Sequence, residues 1–146
     1  MPLEYLDATH PVCARWRTET ALKLVTVVVR SMGRPHLHDA LQSLSVQDHT
    51  QLEVLVVDAT GGNHPPLPDL PWRPGHTVRL IGNGKPLPRP QAANFGLLAA
   101  AGEWICFLDD DDFYDADFVS SMLRHARQQP GCLLIYGPSR TLAPDG

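Results

Sequence analysis

The chain has 146 residues, 43% of them hydrophobic, which is enough for one domain with a real core and short for two. Its formal charge is -4 and its pI is near 5.9, and no segment concentrates Lys and Arg, so neither a nucleic acid partner nor a polybasic membrane contact is expected. Cys13, Cys106 and Cys132 are odd in number and form no CxxC pair, which argues against a disulfide framework or a zinc site and for a reducing compartment.

Residues 1–23 mix Pro2, Pro11, Arg15, Trp16 and Arg17 without a period and are expected to be an irregular lead-in, without the apolar core of a signal peptide. No later run approaches the roughly 20 apolar residues that span a bilayer, so no transmembrane segment is expected, and the location expected is cytoplasmic or peripheral to the inner face of the membrane. From Leu24 to Val29 the β-branched run predicts a strand buried on both faces. Gly33, Arg34 and Pro35 end it, after which Leu37, Ala40, Leu41, Leu44 and Val46 recur at helical spacing through Gln47. Residues 53–57 repeat the buried-strand pattern and end at Asp58, completing a βαβ unit.

The stretch 63–76 holds Pro65, Pro66, Pro68, Pro71 and Pro74 and is predicted to be loop. Residues 78–81 predict a short third strand, and 82–90 a Gly/Pro loop carrying Lys85 and Arg89. An Ala- and Leu-rich helix is predicted over 91–101, ending at Gly102, and leads into a strand through Leu108. Asp115 is placed as the N-cap of a helix through Arg127, and residues 132–136 as a final strand. Strands alternating with helices imply an α/β fold of three layers, α/β/α, around a mainly parallel sheet with right-handed crossovers.

The predicted strand that ends at Leu108 is followed directly by Asp109, Asp110, Asp111 and Asp112. Adjacent carboxylates repel by roughly 1 kcal/mol per pair in water and by more where desolvated, a penalty that a divalent cation removes. Oxygen ligands suit magnesium, manganese or calcium, and ligands of open α/β sheets collect outside the carboxyl ends of the strands. The competing reading is a solvated acidic turn. Two other candidates are set aside. His36 and His38, two apart at a helix start, diverge around the helix. Gly82, Gly84 and Lys85 lack the full phosphate-loop pattern, with Pro86 where Ser or Thr is needed.

Several segments, taken in order, resemble a family 2 inverting glycosyltransferase of the GT-A fold, a Rossmann-like nucleotide-binding architecture. They are the strand from Val25 to Val29 with its following helix, the strand from Glu53 to Asp58, and the composite Asn94, Gly96, Leu97, Gly102, Glu103 leading into the acidic run. The resemblance covers roughly residues 24–138 and implies that residues 24–146 form a nucleotide-diphosphate-sugar-binding domain, incomplete on its C-terminal acceptor side. It makes Asp109, Asp110 and Asp111 the DxD motif, with Asp111 the direct ligand of Mn2+ or Mg2+ and Asp109 shared between metal and ribose. It also places Arg30, Ser31, Asp58, Arg89, Asp109 and Asp110 around the donor, with Asp58 near the nucleobase and Arg89 suited to the diphosphate by charge. The partners implied are a nucleotide-diphosphate sugar and an acceptor that is a sugar, lipid or protein.

The chain also departs from the family pattern. Ala59 stands where many members have a second acid, Met32 where an aromatic is frequent, Arg30 where a small polar residue is usual, and Ala93 where Arg is common. The catalytic base, an Asp or Glu well after the DxD in inverting relatives, has no counterpart: Asp115 and Asp117 are too near the metal run, and Asp145 lies in a Pro/Gly tail. The alternatives are a non-catalytic nucleotide- or metal-binding module and a receiver-like phosphoacceptor domain. The latter is disfavoured by Arg30, Ser31 and Met32 at the end of the first strand, where it expects an acid pair.

Overall fold

A computed structural model describes residues 23–137, 139 and 141; the lead-in at 1–22 lies outside them. Four strands form one sheet: β1 (Val25–Ser31), β2 (Leu52–Asp58), β3 (His76–Ile81) and β4 (Trp104–Asp109). The order is β3-β2-β1-β4 and every neighbouring pair is parallel. Helix α1 (Leu37–Ser45) connects β1 to β2, α2 (Arg89–Ala99) connects β3 to β4, and α3 (Phe118–Gln128) follows β4.

The alternation of side chains along each strand divides the core in two. Val25, Val27, Val29, Leu52, Val54 and Val56 pack with Leu37, Ala40, Leu41 and Leu44 of α1 and Val119 and Leu123 of α3. On the opposite face Val28 and Val57 pack with Ala92 of α2 and with Leu87 just before it. Helices therefore cover both faces of the sheet, as the strand-helix alternation implies. β1 and β2 are the central strands and are buried almost throughout, which is why their sequences read as unbroken apolar runs.

Three expectations change. Residues 132–136 form no strand; among the described residues the run has no ladder partner, and Leu133, Leu134 and Tyr136 are 70%, 80% and 90% exposed. Apolar, β-prone composition does not make a strand where no neighbouring edge receives it. The helix assigned to an Asp115 cap begins at Phe118, and its first turn is served from elsewhere: Gln47, fully buried after α1, accepts the Val119 N–H at 3.2 Å and donates to the Asp115 carbonyl at 2.7 Å. Helix α2 starts at Arg89 rather than Gln91, because Pro90 is tolerated in a first turn whose N–H groups have no partner inside the helix.

At the amino end of the sheet, buried Glu53 gathers three donors, Thr26 Oγ1 at 2.6 Å, Ala101 N at 2.9 Å and Arg79 Nη2 at 2.9 Å, while Gly102 N reaches Thr26 Oγ1 at 2.8 Å to close the network. Burial pushes the Glu53 carboxyl up, but the bonds from Thr26, Ala101 and Arg79 outweigh it and hold it below the ordinary 4.5. A lowered carboxyl stabilises the fold above its unfolded value, and that stabilisation disappears as pH falls through the folded value. Acid should therefore lower the urea midpoint as pH drops below about 4, and Glu53→Gln should flatten that decline while weakening the fold at neutral pH by about 2 kcal/mol.

Candidate functional site

The parallel register places the carboxyl ends of β2, β1 and β4 side by side. Ser31 stands opposite Asp58, and Arg30 opposite Asp109. The chain runs from β1 outward to β2 and β3, then returns to the far side of β1 as β4, so the strand order reverses between β1 and β4. The crevice outside such a reversal is where open α/β sheets hold ligands, and the acidic run lies there.

Asp109 ends β4, and the Asp112 N–H donates to its carbonyl at 3.1 Å, curling the run into a tight turn. The turn brings carboxylate oxygens of Asp109, Asp111 and Asp112 within 4.8 Å of one another. Three clustered hard oxygen donors at the surface fit a divalent cation of the magnesium or manganese type. Asp112 was not singled out as a ligand by sequence reasoning, although its place in the run was a signal. Asp110 behaves differently. It is fully buried, its Oδ2 accepts the Met32 N–H at 2.8 Å, and Ser31 Oγ lies 3.3 Å away. Its carboxylate is thus turned into the fold, away from the other three.

Three arginines surround the cluster. Arg30 Nε is 3.5 Å from Asp109 Oδ1, and Arg89 Nη2 is 3.6 Å from Asp109 Oδ2. Arg34 Nη1 is 3.4 Å from Asp111 Oδ2 and 3.7 Å from Asp110 Oδ1. Arg34 and Arg89 are exposed, so these pairs add little stability; their effect is to offset the local negative charge. Arg34 lies in the 30–34 stretch that the resemblance places beside the pocket, but the resemblance does not single it out as a site residue. Between α2 and the ends of β1 and β4 lies a cavity of about 190 Å³ lined by Val28, Arg30, Arg89, Ala93, Phe107 and Asp109, where the small Ala93 leaves room.

Asp58 ends β2, nearly buried, and both its oxygens are used within the following loop. Oδ1 accepts the Thr60 N–H at 2.7 Å and the Thr60 hydroxyl at 2.6 Å; Oδ2 accepts the Gly62 N–H at 2.9 Å. Burial raises its carboxyl, but those bonds and nearby His64 outweigh it and hold it below the ordinary 3.8. Asp58 therefore shapes the loop. Ser31 is likewise buried, accepting the Gly33 N–H at 2.9 Å with His64 Nε2 at 2.8 Å. Of the residues expected around a donor, Arg30, Arg89, Asp109 and Asp111 converge on one surface, whereas Ser31, Asp58 and Asp110 support it from beneath.

A family model described as glycosyl transferase family 2 matches residues 25–140. The chain belongs to that family. Within family 2 its relatives include an uncharacterized glycosyltransferase of Haemophilus influenzae, 26% identical over 118 residues that cover 80% of this chain and 39% of the relative. A second is the uncharacterized glycosyltransferase YwdF of Bacillus subtilis, 28% identical over 107 residues, covering 70% of this chain and 38% of that protein. The chain thus spans well under half the length of these curated relatives. Among solved structures, the mannosyltransferase PcManGT of Pyrobaculum calidifontis, in complex with GDP-Man and Mn2+, superposes with a TM-score of 0.57 at 22% identity, covering 70% of this chain and 32% of that one. TarS 1–349 of S. aureus in complex with UDP-GlcNAc gives 0.52 at 22% identity, covering 72% and 31%. The GT-A fold expected for family 2 is the fold found.

Proposed function

We propose that this family 2 domain binds the nucleoside-diphosphate part of a sugar donor at the carboxyl ends of β1, β2 and β4. It then passes the sugar, with inversion, to an acceptor held by a part of the protein outside residues 24–146. The observation that carries this reading is the clustering of Asp109, Asp111 and Asp112 within 4.8 Å at the strand-order reversal. Asp109 and Asp111, with Asp112, would hold Mn2+ or Mg2+. Such an ion neutralises the charge that develops on a departing nucleoside diphosphate.

The remaining residues bind and orient. Asp109 also faces the ribose. Arg30 and Arg89, now paired with Asp109, become available to the diphosphate once that carboxylate takes a cation. Asp58 contributes by fixing the 60–62 turn beside the nucleobase, and Ser31 and Asp110 by holding the turn after β1. The complexes of two structural neighbours, one with GDP-Man and Mn2+ and one with UDP-GlcNAc, support this donor class. The odd cysteine count supports a cytoplasmic setting, and among the described residues no helix is long and apolar enough to cross a membrane.

Thermal stabilisation by UDP, GDP, CDP and dTDP, each with and without manganese, tests the reading. A manganese-dependent rise with one nucleotide is expected and would identify the base. No rise with any of them would overturn donor binding by this chain. The second reading is a module that binds donor without transferring its sugar. It is favoured by Asp117, an acid after the run at the start of α3, whose Oδ2 is engaged within the helix by Ser121 Oγ at 3.1 Å. Hydrolysis or transfer of the sugar by a chain extended to the relatives' full length would exclude that module.

A further inference from the structure

Beneath the solvent-facing carboxylates runs a polar chain from half-buried His64 through buried Ser31 to buried Asp110. His64, in the loop after β2, has Nδ1 2.6 Å from the Pro65 carbonyl oxygen. A carbonyl only accepts, so Nδ1 carries a proton and Nε2 is the variable ring position. Nε2 lies 2.8 Å from Ser31 Oγ, and Ser31 Oγ lies 3.3 Å from Asp110 Oδ2. The single hydroxyl proton of Ser31 therefore has two acceptors available, neutral His64 and Asp110.

Asp110 is where that choice matters. It is fully buried, Oδ1 has no hydrogen-bond partner, and the Met32 N–H is the main donor to Oδ2. A buried carboxylate so thinly satisfied is costly, and one more donor is worth more to it than to a solvated group. With His64 neutral, Nε2 at 2.8 Å and Asp110 Oδ2 at 3.3 Å compete for the one Ser31 proton. When His64 takes a proton from solvent, Nε2–H donates to Ser31 Oγ and the hydroxyl rotates to Asp110. No proton crosses to the carboxylate; one is added at His64 and one changes direction.

We propose that His64 is a positioning residue that acts through Ser31 on Asp110, linking the loop after β2 to the acidic run. Protonated His64 tightens the hold of Asp110 on the Met32 turn and so fixes Asp109 and Asp111 on either side of it in the chain. The charged groups facing this link are Asp58 at the end of β2, Asp110 after β4, and Arg34 from the turn after β1, whose Nη1 is 3.7 Å from Asp110 Oδ1. The functional consequence rests on the donor-binding reading above. The link itself does not.

The test follows the Met32 amide signal by NMR in the full chain as pH is varied across about 5 to 8, the range in which histidine titrates. A step in the Met32 shift is expected in the wild type, lost in His64→Gln and Ser31→Ala, and kept in Ser31→Thr, which restores a hydroxyl. His64→Gln changes a loop position, so the test does not depend on Ser31→Ala folding. A Met32 step that persists in His64→Gln, or no step in the wild type, overturns the link. UDP and GDP affinities with manganese, measured across the same pH range, separate the two claims. A several-fold weakening towards high pH, flat in His64→Gln, supports both. A Met32 step without nucleotide binding retains the link and removes the donor reading, and nucleotide binding without a step does the reverse.

Discussion

Asp111→Ala is expected to abolish the manganese-dependent part of nucleoside-diphosphate binding, while Asp117→Ala leaves it within about twofold, a change of roughly 0.4 kcal/mol. Asp111 presents one of three clustered carboxylates, and its Oδ2 is also where Arg34 approaches, at 3.4 Å. Removing it deletes one charged oxygen donor of the proposed metal site and leaves two carboxylates. We expect a loss of at least about tenfold in affinity measured with manganese, about 1.4 kcal/mol, and no loss without it. Asp117 lies on the helix side of the turn, where its Oδ2 accepts from Ser121 Oγ, so it serves as the control. Calorimetric titration of both variants with and without manganese decides the matter. Equal losses at the two positions would remove Asp111 from the metal site. Manganese alone should raise the thermal midpoint only modestly, because an open site gains its affinity from substrate phosphates. A large rise from the metal alone would indicate a calcium-type site instead.

Gly96→Ala should destabilise the domain by about 2 kcal/mol, lowering the thermal midpoint by several degrees. In an exposed helix the same change would stabilise by about 1 kcal/mol, since alanine is the better helix former. Here the close approach of α2 to the sheet reverses the sign. A Cβ at Gly96 would overlap Val28 Cγ1 and come within 3.1 Å of Val28 Cγ2 and Val57 Cγ2. Both valines are fully buried in central strands with no room to retreat. Thermal and urea unfolding of Gly96→Ala and Gly96→Val, with the larger residue costing more, checks this. A neutral or stabilised alanine variant would mean that α2 can ride outward, and the cavity bordered by Arg30, Arg89 and Ala93 should then enlarge.

Gly96 also shows how a motif residue can be legible without its reason being so. It belongs to the composite that suggested the family, yet only the packing of α2 on Val28 and Val57 explains why no side chain fits there. Arg89 was expected to act from a loop; it is the first residue of α2, and that placement directs its guanidinium to Asp109. The short third strand was expected at 78–81 and begins at His76, paired with Leu52, because an edge strand that is only half buried has a weak apolar signature at its ends.

The sequence by itself determined the elements whose signal is local. The buried runs of β1 and β2, the helical spacing of α1, the strand leading to the acidic cluster and the α/β alternation are all properties of neighbouring residues, imposed by burial on one face, two faces or a stripe. Those same patterns placed Asp109 and Asp111 at a strand end. Tertiary structure alone decided what depends on register and on distant partners. It turned Asp110 inward while its neighbours face out, brought Arg34 onto Asp111, joined His64 to Ser31, gave the start of α3 to Gln47, and left residues 132–136 without a ladder. The physical reason is that a polar group's partner is whichever group the fold delivers within about 3 Å of it. No local pattern records that delivery.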